Sequence, residues 1–257
     1  MKTALCFAGT GRSIEYTFEN LRKCLIDDLA DTVDGCDIFV YIADTPIASH
    51  TEKYFSDYTT NIEVVKEEDT NPKDWQWLEH WPPSTPNDIW KGRDIYLKMV
   101  RSRNHLMNMV DTSDTRPSGT GEKYDRVIFS RMDVQYERKF TEMDKGMDMN
   151  YLWLPHFHHW LGGYNDRFSV GNQVVMRTYM SQWDSMETYR GEGWVFQAES
   201  TLKHHLDRHN VTPKIFNCNF IRIQPGGGGN PVFTGDKSLR QFESLASIQV
   251  ETKPCDI

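Results

Sequence analysis

Residues 3–13 read Thr-Ala-Leu-Cys-Phe-Ala-Gly-Thr-Gly-Arg-Ser, an apolar run that breaks into a short polar turn containing two glycines. Residues 3–8 have the length and composition of a strand that is buried on both faces. Ser13 is a residue type that caps helices, and apolar residues follow it at the spacing of one helix face. These residues are Ile14, Phe18, Leu21, Leu25 and Leu29. The stretch therefore predicts a strand, a tight turn and an amphipathic helix.

The same alternation of strand and helix continues to residue 65. Residues 37–42, Asp-Ile-Phe-Val-Tyr-Ile, form a second continuous apolar strand, and a third strand is predicted at 62–65 after a short helix around 48–57. The order β-α-β-α-β is typical of a parallel sheet with right-handed crossovers. Such sheets bind ligands beyond the carboxyl ends of their strands.

A further strand lies within residues 124–134, which read YDRVIFSRMDV. Its apolar core is followed by Arg131, Met132 and Asp133. An isolated Arg-x-Asp at a strand end is usually a surface ion pair of little energetic value. Here the pair is expected at the sheet edge that also carries the Gly9–Arg12 turn and Asp44, so the three features should share one cleft.

The composition of the 257 residues indicates which kinds of binding partner and which cellular compartment to expect. Hydrophobic residues make up 38% and charged residues 26%, as in a globular protein, and the net charge of −8 argues against a general nucleic-acid binder. No run approaches the ~18 apolar residues of a membrane span, and the N-terminus does not resemble a signal peptide. Five scattered cysteines favour free thiols and a cytoplasmic location.

The rest of the chain supplies further predicted elements. Helices are predicted at 89–110, 173–187 and 195–209, and strands at 151–154 and 216–220, with a polar and aromatic loop from 156 to 173. Residues 67–88 form a loop rich in tryptophan and proline, and 112–122 a flexible connection. Residues 226–257 are a glycine-rich loop and tail, consistent with one domain of a longer multidomain chain.

Five segments in order carry a family resemblance. They are FAGTGRS (7–13), CDIFVYIAD (36–44), YDRVIFSRMDV (124–134), GGYNDRFSVGNQVVM (162–176) and QAESTLKHHL (197–206). Over roughly residues 1–225, this order resembles GT-A glycosyltransferases, in particular the domains of large algal (chlorella) viruses that build capsid glycans. The resemblance implies a single α/β, Rossmann-like domain with a mostly parallel central sheet flanked by helices and a smaller acceptor-side subregion. It also implies a nucleotide-sugar-binding half at 1–135, an acceptor half at 150–225 and, for a viral protein, the host cytoplasm.

The resemblance also implies roles for individual residues in binding the nucleotide sugar. The expected nucleotide site comprises Ala8, Gly9, Arg12, Asp44, Arg131, Met132 and Asp133. Residues 131–133 stand where the family has its D-x-D motif, so Asp133 is the expected ligand of Mn²⁺ or Mg²⁺. Arg131 replaces the first aspartate of that motif, which leaves the need for a metal open because an arginine can itself neutralise phosphate.

Two carboxylates are candidates for the base that takes a proton from an acceptor hydroxyl. Asp166, in the segment GGYNDRF, is the first choice and Glu199 the second. Asp166 is equally typical of a turn or helix cap, and Glu199 of a solvated helix face. Asn165 is expected to bond sugar hydroxyls, and Trp160 and Tyr164 are expected either to stack on a sugar ring or to belong to the core.

The histidines give a weaker signal for a metal site. His156, His158 and His159 are close in sequence, and His205 and His209 have helical i, i+4 spacing. Zinc ligation needs such clusters, but no H-E-x-x-H motif is present, and exposed or merely polar histidines fit the pattern better.

The sequence thus favours a glycosyltransferase that moves a hexose or pentose from a nucleotide diphosphate sugar to a glycan or glycoprotein. UDP-sugars are the first choice of donor, UDP-galactose among them. The alternative is a non-catalytic carbohydrate-binding module that uses the loop at 67–88 as a stacking surface. A nucleotidyltransferase would need a second pair of acids and a triphosphate-binding loop, neither of which the sequence offers.

Overall fold

The computed structural model describes residues 1–30, 35–43, 45–59, 61–65, 93–113, 124–159, 162–194 and 197–223, with side chains in 93–113 from residue 96 onward. Several predicted features lie outside these residues. They are Asp44, Trp160, the loop at 67–88, most of the connection at 112–122 and the tail at 226–257.

The described strands form a mixed, mostly parallel sheet of seven strands. These are β1 (Thr3–Gly9), β2 (Cys36–Ala43), β3 (Asn61–Val65), β4 (Arg126–Arg131), β6 (Trp153–Pro155), β7 (Phe168–Gly171) and β8 (Lys214–Phe216). Their order is β3-β2-β1-β4-β7-β6-β8, and β7 runs antiparallel to both of its neighbours while the other pairs are parallel. The predicted α/β class with a mostly parallel central sheet flanked by helices is confirmed.

The central strands are apolar because helices cover both faces of the sheet. Six of the seven residues of β1 are buried, and alternate residues join different cores. Leu5 and Phe7 pack on one side with Ile14 and Phe18, whereas Ala4 and Cys6 pack on the other side. A strand that faces two cores has no solvent side, which explains its continuous apolar run.

The helices flank this sheet, and most of them lie close to predicted positions, although the short helix at Phe140–Met143 was not predicted. They are α1 (Ile14–Leu21), α2 (Asp27–Ala30), α3 (Ala48–Phe55), α4 (Arg93–Thr112), α5 (Phe140–Met143), α6 (Gln173–Met180), α7 (Met186–Gly191) and α8 (Ala198–Arg208). A π-helical segment, Arg22–Ile26, joins α1 to α2 without a break. All five apolar residues predicted for the first helix face are buried.

Three sequence predictions in the second half were wrong in detail. The loop predicted from 156 to 173 contains β7, and the helix predicted at 173–187 is divided by a 3₁₀ segment, Ser181–Ser185. The late strand predicted at 216–220 is two short strands, β8 and β9 (Phe220–Arg222). Strand β9 pairs antiparallel with β5 (Val134–Tyr136) in a separate two-stranded sheet, which brings the end of the described chain next to Asp133.

Two further features concern the whole described part of the chain. None of its helices is both long and apolar enough to cross a membrane. Four cysteines, Cys6, Cys24, Cys36 and Cys218, are free thiols. Burial raises the pKa of the half-buried Cys36 thiol to about 12, so this thiol is protonated at neutral pH.

Candidate active site

A cavity of about 340 Å³ opens at the carboxyl ends of β1, β2 and β4. Its described lining includes Ala8, Gly9, Thr10, Gly11, Arg12, Ser13, Tyr41, Ala43, Thr45, Lys98, Met99, Ser102, Arg131, Met132, Asp133 and Arg222. Six of the seven residues expected to bind the nucleotide are among them, and the seventh, Asp44, lies outside the described residues. The volume is within the range of small-molecule sites. The structure therefore brings Arg12, Arg131 and Asp133 together in one cleft.

The turn after β1 is shaped by close packing. Gly11 has a φ of +68°, and a Cβ atom there would lie 1.8 Å from Thr51 Oγ1 of α3, so only glycine fits. Arg12 is exposed, and its Nε donates to Thr10 Oγ1 at 3.0 Å. The sequence predicts that Ser13 caps α1, but its side chain makes no cap hydrogen bond. The Ser13 hydroxyl donates instead to the carbonyl of Ile223 at 2.9 Å.

Asp133 is held by two arginines. Arg131 donates to it twice, from Nε to Oδ1 at 2.7 Å and from Nη2 to Oδ2 at 2.6 Å. Arg222 donates from Nε to Oδ2 at 2.9 Å. Burial alone would raise the pKa of Asp133, but the charge and hydrogen bonds of Arg131, and then those of Arg222, lower it to about 2. The aspartate is therefore ionised at neutral pH.

Met132 connects β4 to its surroundings through its backbone. Its N–H donates to the carbonyl of Ala8 at 3.3 Å, and its carbonyl accepts from Thr17 Oγ1 at 2.6 Å. A Cβ atom on Gly9 would lie 3.3 Å from Met132 Cβ, so β1 and the end of β4 approach each other closely. Met132 therefore fixes the direction in which Arg131 and Asp133 leave the sheet.

Arg222 is a site residue that the sequence analysis missed. It lies on β9 opposite Val134 of β5, and the next residue, Ile223, donates its N–H to the carbonyl of Asp133 at 2.8 Å. Within β9, Phe220 and Arg222 lie on the same face of the strand, but the sequence shows no sign that this strand pairs with β5.

The donor set around Asp133 does not fit the predicted divalent cation. Both carboxylate oxygens already accept hydrogen bonds from guanidinium groups, and a cation placed on them would face two positive charges at close range. No group of three histidine, cysteine, aspartate or glutamate side chains in the described ranges is arranged to hold a metal ion. A hard divalent cation prefers several oxygen ligands, and this part of the cavity supplies one carboxylate that is already paired.

Asp166 and Glu199, the two candidate bases, form a buried pair. Their exposed fractions are 3% and 5%, which rules out a solvated helix face for Glu199. Arg167 Nη1 lies 3.4 Å from Asp166 Oδ1, an ion-pair contact without hydrogen-bond geometry, and 3.5 Å from Glu199 Oε1. Gln197 donates its amide to Glu199 Oε2. Burial, and then the charge of Asp166, raise the pKa of Glu199 to about 7.

This acid pair lies beside the cavity but does not belong to its described lining. Arg131 connects the cavity to the acid pair, because its backbone N–H donates to the carbonyl of Arg167 at 3.2 Å. Burial lowers the pKa of Arg131, but the charges of Asp133, Asp166 and Glu199 raise it above its usual value overall. The cationic end of β4 is thus stabilised by acids on both sides.

Several other predicted site residues are engaged in contacts within the protein. Asn165 is fully buried, donates to the carbonyl of Phe157 at 2.7 Å and accepts from the N–H of Arg167 at 2.8 Å, so it holds the loop and does not face a ligand. Both ring nitrogens of His205 are bonded, to Tyr189 and to the carbonyl of Thr178. Tyr164 is half-buried within the loop.

His156, His158 and His159 do not assemble a metal site within the described residues. Burial lowers the pKa of all three imidazoles, which therefore stay neutral at neutral pH. His159 is bonded through its Nε2 to the carbonyl of Pro155 at 2.8 Å. This contact indicates a role in the loop and not in ligand binding.

Comparison with known proteins does not assign this chain to a family. No protein-family model and no curated protein matches the chain. One matching solved structure is the apo form of mouse xyloside xylosyltransferase 1, which is 9% identical, with 84% of this chain and 85% of that chain covered and a TM-score of 0.41. The resemblance to algal-virus domains stays a prediction, and the proposals below rest on this chain's own residues.

Proposed function

We propose that this chain is a glycosyltransferase that moves a sugar from a nucleotide diphosphate sugar to the hydroxyl of a glycan or glycoprotein. The observation that carries the proposal is the meeting of Arg12, Arg131 and Asp133 in one cavity at the carboxyl ends of parallel strands. Open α/β sheets bind their ligands at this edge. A donor of the UDP-sugar class is the first choice, and UDP-galactose is one of the donors to test.

The cavity has groups suited to a diphosphate. The backbone of Ala8 and Gly9 borders it, and the glycines of the turn allow a phosphate to approach closely. Arg12 and Arg131 are the proposed phosphate ligands, since guanidinium groups bind phosphate oxygens in a planar, two-point manner. Tyr41 and Met99 supply apolar surface for the nucleoside.

The transfer step, for an inverting reaction, needs a base and a stabilised leaving group. The acceptor oxygen forms a bond to the anomeric carbon while the bond from that carbon to the β-phosphate oxygen breaks. The nucleoside diphosphate leaves with the electron pair, and the acceptor proton moves to a carboxylate. Asp166 and Glu199 are the proposed acceptors of this proton, and the raised pKa of Glu199 suits a base that works near neutral pH.

The predicted Mn²⁺ or Mg²⁺ on Asp133 has no part in this step. Asp133 would be its ligand, and a bound metal would take up charge on the departing diphosphate. The hydrogen bonds of Asp133 to Arg131 and Arg222 leave that carboxylate poorly suited to a cation. The proposed step therefore uses the arginines alone.

The experiment is a donor panel of UDP- and GDP-sugars, assayed for release of the nucleoside diphosphate with and without Mn²⁺. We expect slow hydrolysis of at least one donor and faster release when a glycan acceptor is added. Arg131→Gln should lower kcat/KM by roughly 100-fold, because a charged contact to the leaving group is lost. Arg208→Gln, a change in an exposed arginine of α8 outside the cavity lining, is the matched control.

Calorimetry with UDP separates this proposal from the carbohydrate-binding module. A transferase binds the nucleotide in its cavity, whereas a module binds glycans and ignores UDP. The loop at 67–88, on which the alternative depends, lies outside the described residues. Glycan binding without any UDP binding or donor hydrolysis would exclude the transferase.

A further inference from the structure

We infer that the cavity binds the diphosphate of its nucleotide through guanidinium groups and without a divalent cation, with Asp133 serving as the anchor of Arg131 and Arg222. The inference rests on the proposed function for the identity of the ligand as a nucleoside diphosphate. It adds Arg222 to the site and changes the role of Asp133 from metal ligand to positioning residue.

The hydrogen bonds of Asp133 orient two guanidinium groups toward the same cavity. Arg131 uses Nε and Nη2 for the aspartate, and its Nη1 lies 3.6 Å from the sulfur of Met99, a weak acceptor. Arg222 uses Nε alone, and within the described part of the chain its two terminal nitrogens make no hydrogen bond. An arginine has five N–H donors, so both side chains keep donors for phosphate oxygens.

The backbone around Arg222 is held by strand pairing and by hydrogen bonds to two other parts of the site. Arg222 is in register with Val134 on the adjacent strand. The N–H of Ile223 bonds to the carbonyl of Asp133, and the carbonyl of Ile223 accepts from the hydroxyl of Ser13. The backbone next to Arg222, at Ile223, therefore joins the turn after β1 to the end of β4, which are the two places that the proposed diphosphate contacts.

The charge of the described lining matches an anion and not a cation. Among the described residues, four cationic side chains, Arg12, Lys98, Arg131 and Arg222, border the cavity, against the single carboxylate of Asp133. The chain as a whole has a net charge of −8, so this excess of positive charge is local. A metal ion serves to neutralise a departing diphosphate, and here the protein's own side chains supply that charge.

The test is calorimetric binding of UDP and of inorganic pyrophosphate to the whole chain, once in EDTA and once with Mn²⁺. We expect both probes to bind in EDTA, with a Kd within about threefold of the value in Mn²⁺. Arg222→Gln should weaken both probes by roughly 10- to 100-fold, as for the loss of a charged hydrogen bond, and Arg222→Lys by less. Arg208→Gln should bind as the parent chain does.

Asp133→Asn separates the two roles of the aspartate. The amide still accepts one hydrogen bond, so binding in EDTA should weaken by roughly tenfold without being abolished, and Mn²⁺ should not change it. Thermal unfolding of each variant, without ligand, shows whether it is folded. A folded Arg222→Gln variant with unchanged affinity would overturn the inference.

The remaining outcomes distinguish this inference from the transferase proposal. UDP binding that requires Mn²⁺ and is lost in EDTA would overturn the metal-free site but leave the transferase standing. Binding in EDTA with no turnover of any donor would leave the anion site and remove the transferase. Failure of both probes to bind in either buffer would remove the site itself.

Discussion

The role of the Asp133 carboxylate depends on the side chains to which it is bonded. Arg131 and Asp133, alone, resemble an ordinary ion pair at the end of a strand, of the kind that contributes little on a surface. Their side chains are only 19% and 20% exposed, and a second arginine shares the same carboxylate. The aspartate thereby holds two like charges close together, an arrangement that a bound anion would stabilise and a bound cation would oppose.

The pH dependence of stability provides a residue-scale test at Glu199. Its pKa rises from an ordinary 4.5 to about 7 on folding, so the folded chain binds more protons than the unfolded chain between these values. The free energy of unfolding should therefore fall as the pH rises from 4.5 to 7, by an amount on the order of 3 kcal/mol for an isolated group. In Glu199→Gln this part of the decline should disappear.

Denaturant unfolding at a series of pH values measures this effect without reference to activity. Glu187→Gln, a change in an exposed glutamate of α7, is the control and should reproduce the parent curve. If Glu199→Gln also reproduced the parent curve, the carboxyl would not be the perturbed group. In the donor assay, the parent rate should rise with pH through about 7 because the base works only when deprotonated.

At the scale of elements, the acid pair depends on how closely one loop approaches the start of α8. A Cβ atom on Gly163 would lie 2.0 Å from the backbone carbon of Glu199, and the N–H of Tyr164 donates to the carbonyl of Glu199 at 3.0 Å. The loop that carries Asp166 therefore contacts the first turn of the helix directly. This close approach sets the distance between the two carboxylates.

Gly163→Ala should separate these two elements. The added methyl group must push the first turn of α8 away, so we expect a loss of roughly 1–3 kcal/mol in the free energy of unfolding. Displacement of a catalytic group by about 1 Å can cost about 100-fold in kcat. Gly162→Ala is the matched control, because a Cβ there meets no atom within 4 Å and the change costs only backbone strain at a φ of +71°. Equal effects of the two substitutions on the rate would contradict this explanation.

At the scale of the whole molecule, one sheet runs through both predicted halves. Strand β4, from the half at 1–135, pairs with β7 from the half at 150–225 over four register positions. The hydrophobic cores on the two faces also mix residues from both halves, such as Leu5 with Phe168 on one face and Ala4 with Leu154 on the other. The halves therefore share their packing and do not form independent cores.

We expect a single cooperative unfolding transition for this reason. Circular dichroism and fluorescence should give the same midpoint, and the calorimetric and van't Hoff enthalpies should agree. A fragment of residues 1–135 should not fold alone, because β4 would lose its pairing with β7 and leave apolar surface open. Two separated transitions in the whole chain would show that the halves fold independently.

The first half of the fold was predictable because its signals are local. Strands β1, β2 and β4 contain continuous apolar runs, and the helix after β1 shows its buried face through regular spacing. Parallel topology then predicts which ends meet, and this was sufficient to bring Arg12, Arg131 and Asp133 to one edge. Strand β7 was missed because it is four residues long and follows a polar turn.

The sequence alone was therefore enough for the α/β class, the order of the first strands and the edge at which polar residues gather, since each follows from periodicity and from the geometry of parallel strands. The partner of Asp133 required the three-dimensional structure, because Arg222 lies 89 residues away along the chain and arrives through the β5–β9 pairing. The burial of Asp166 with Glu199 likewise depends on long-range packing, which sets the local dielectric and hence the pKa. Neither the spacing nor the type of these residues contains that information.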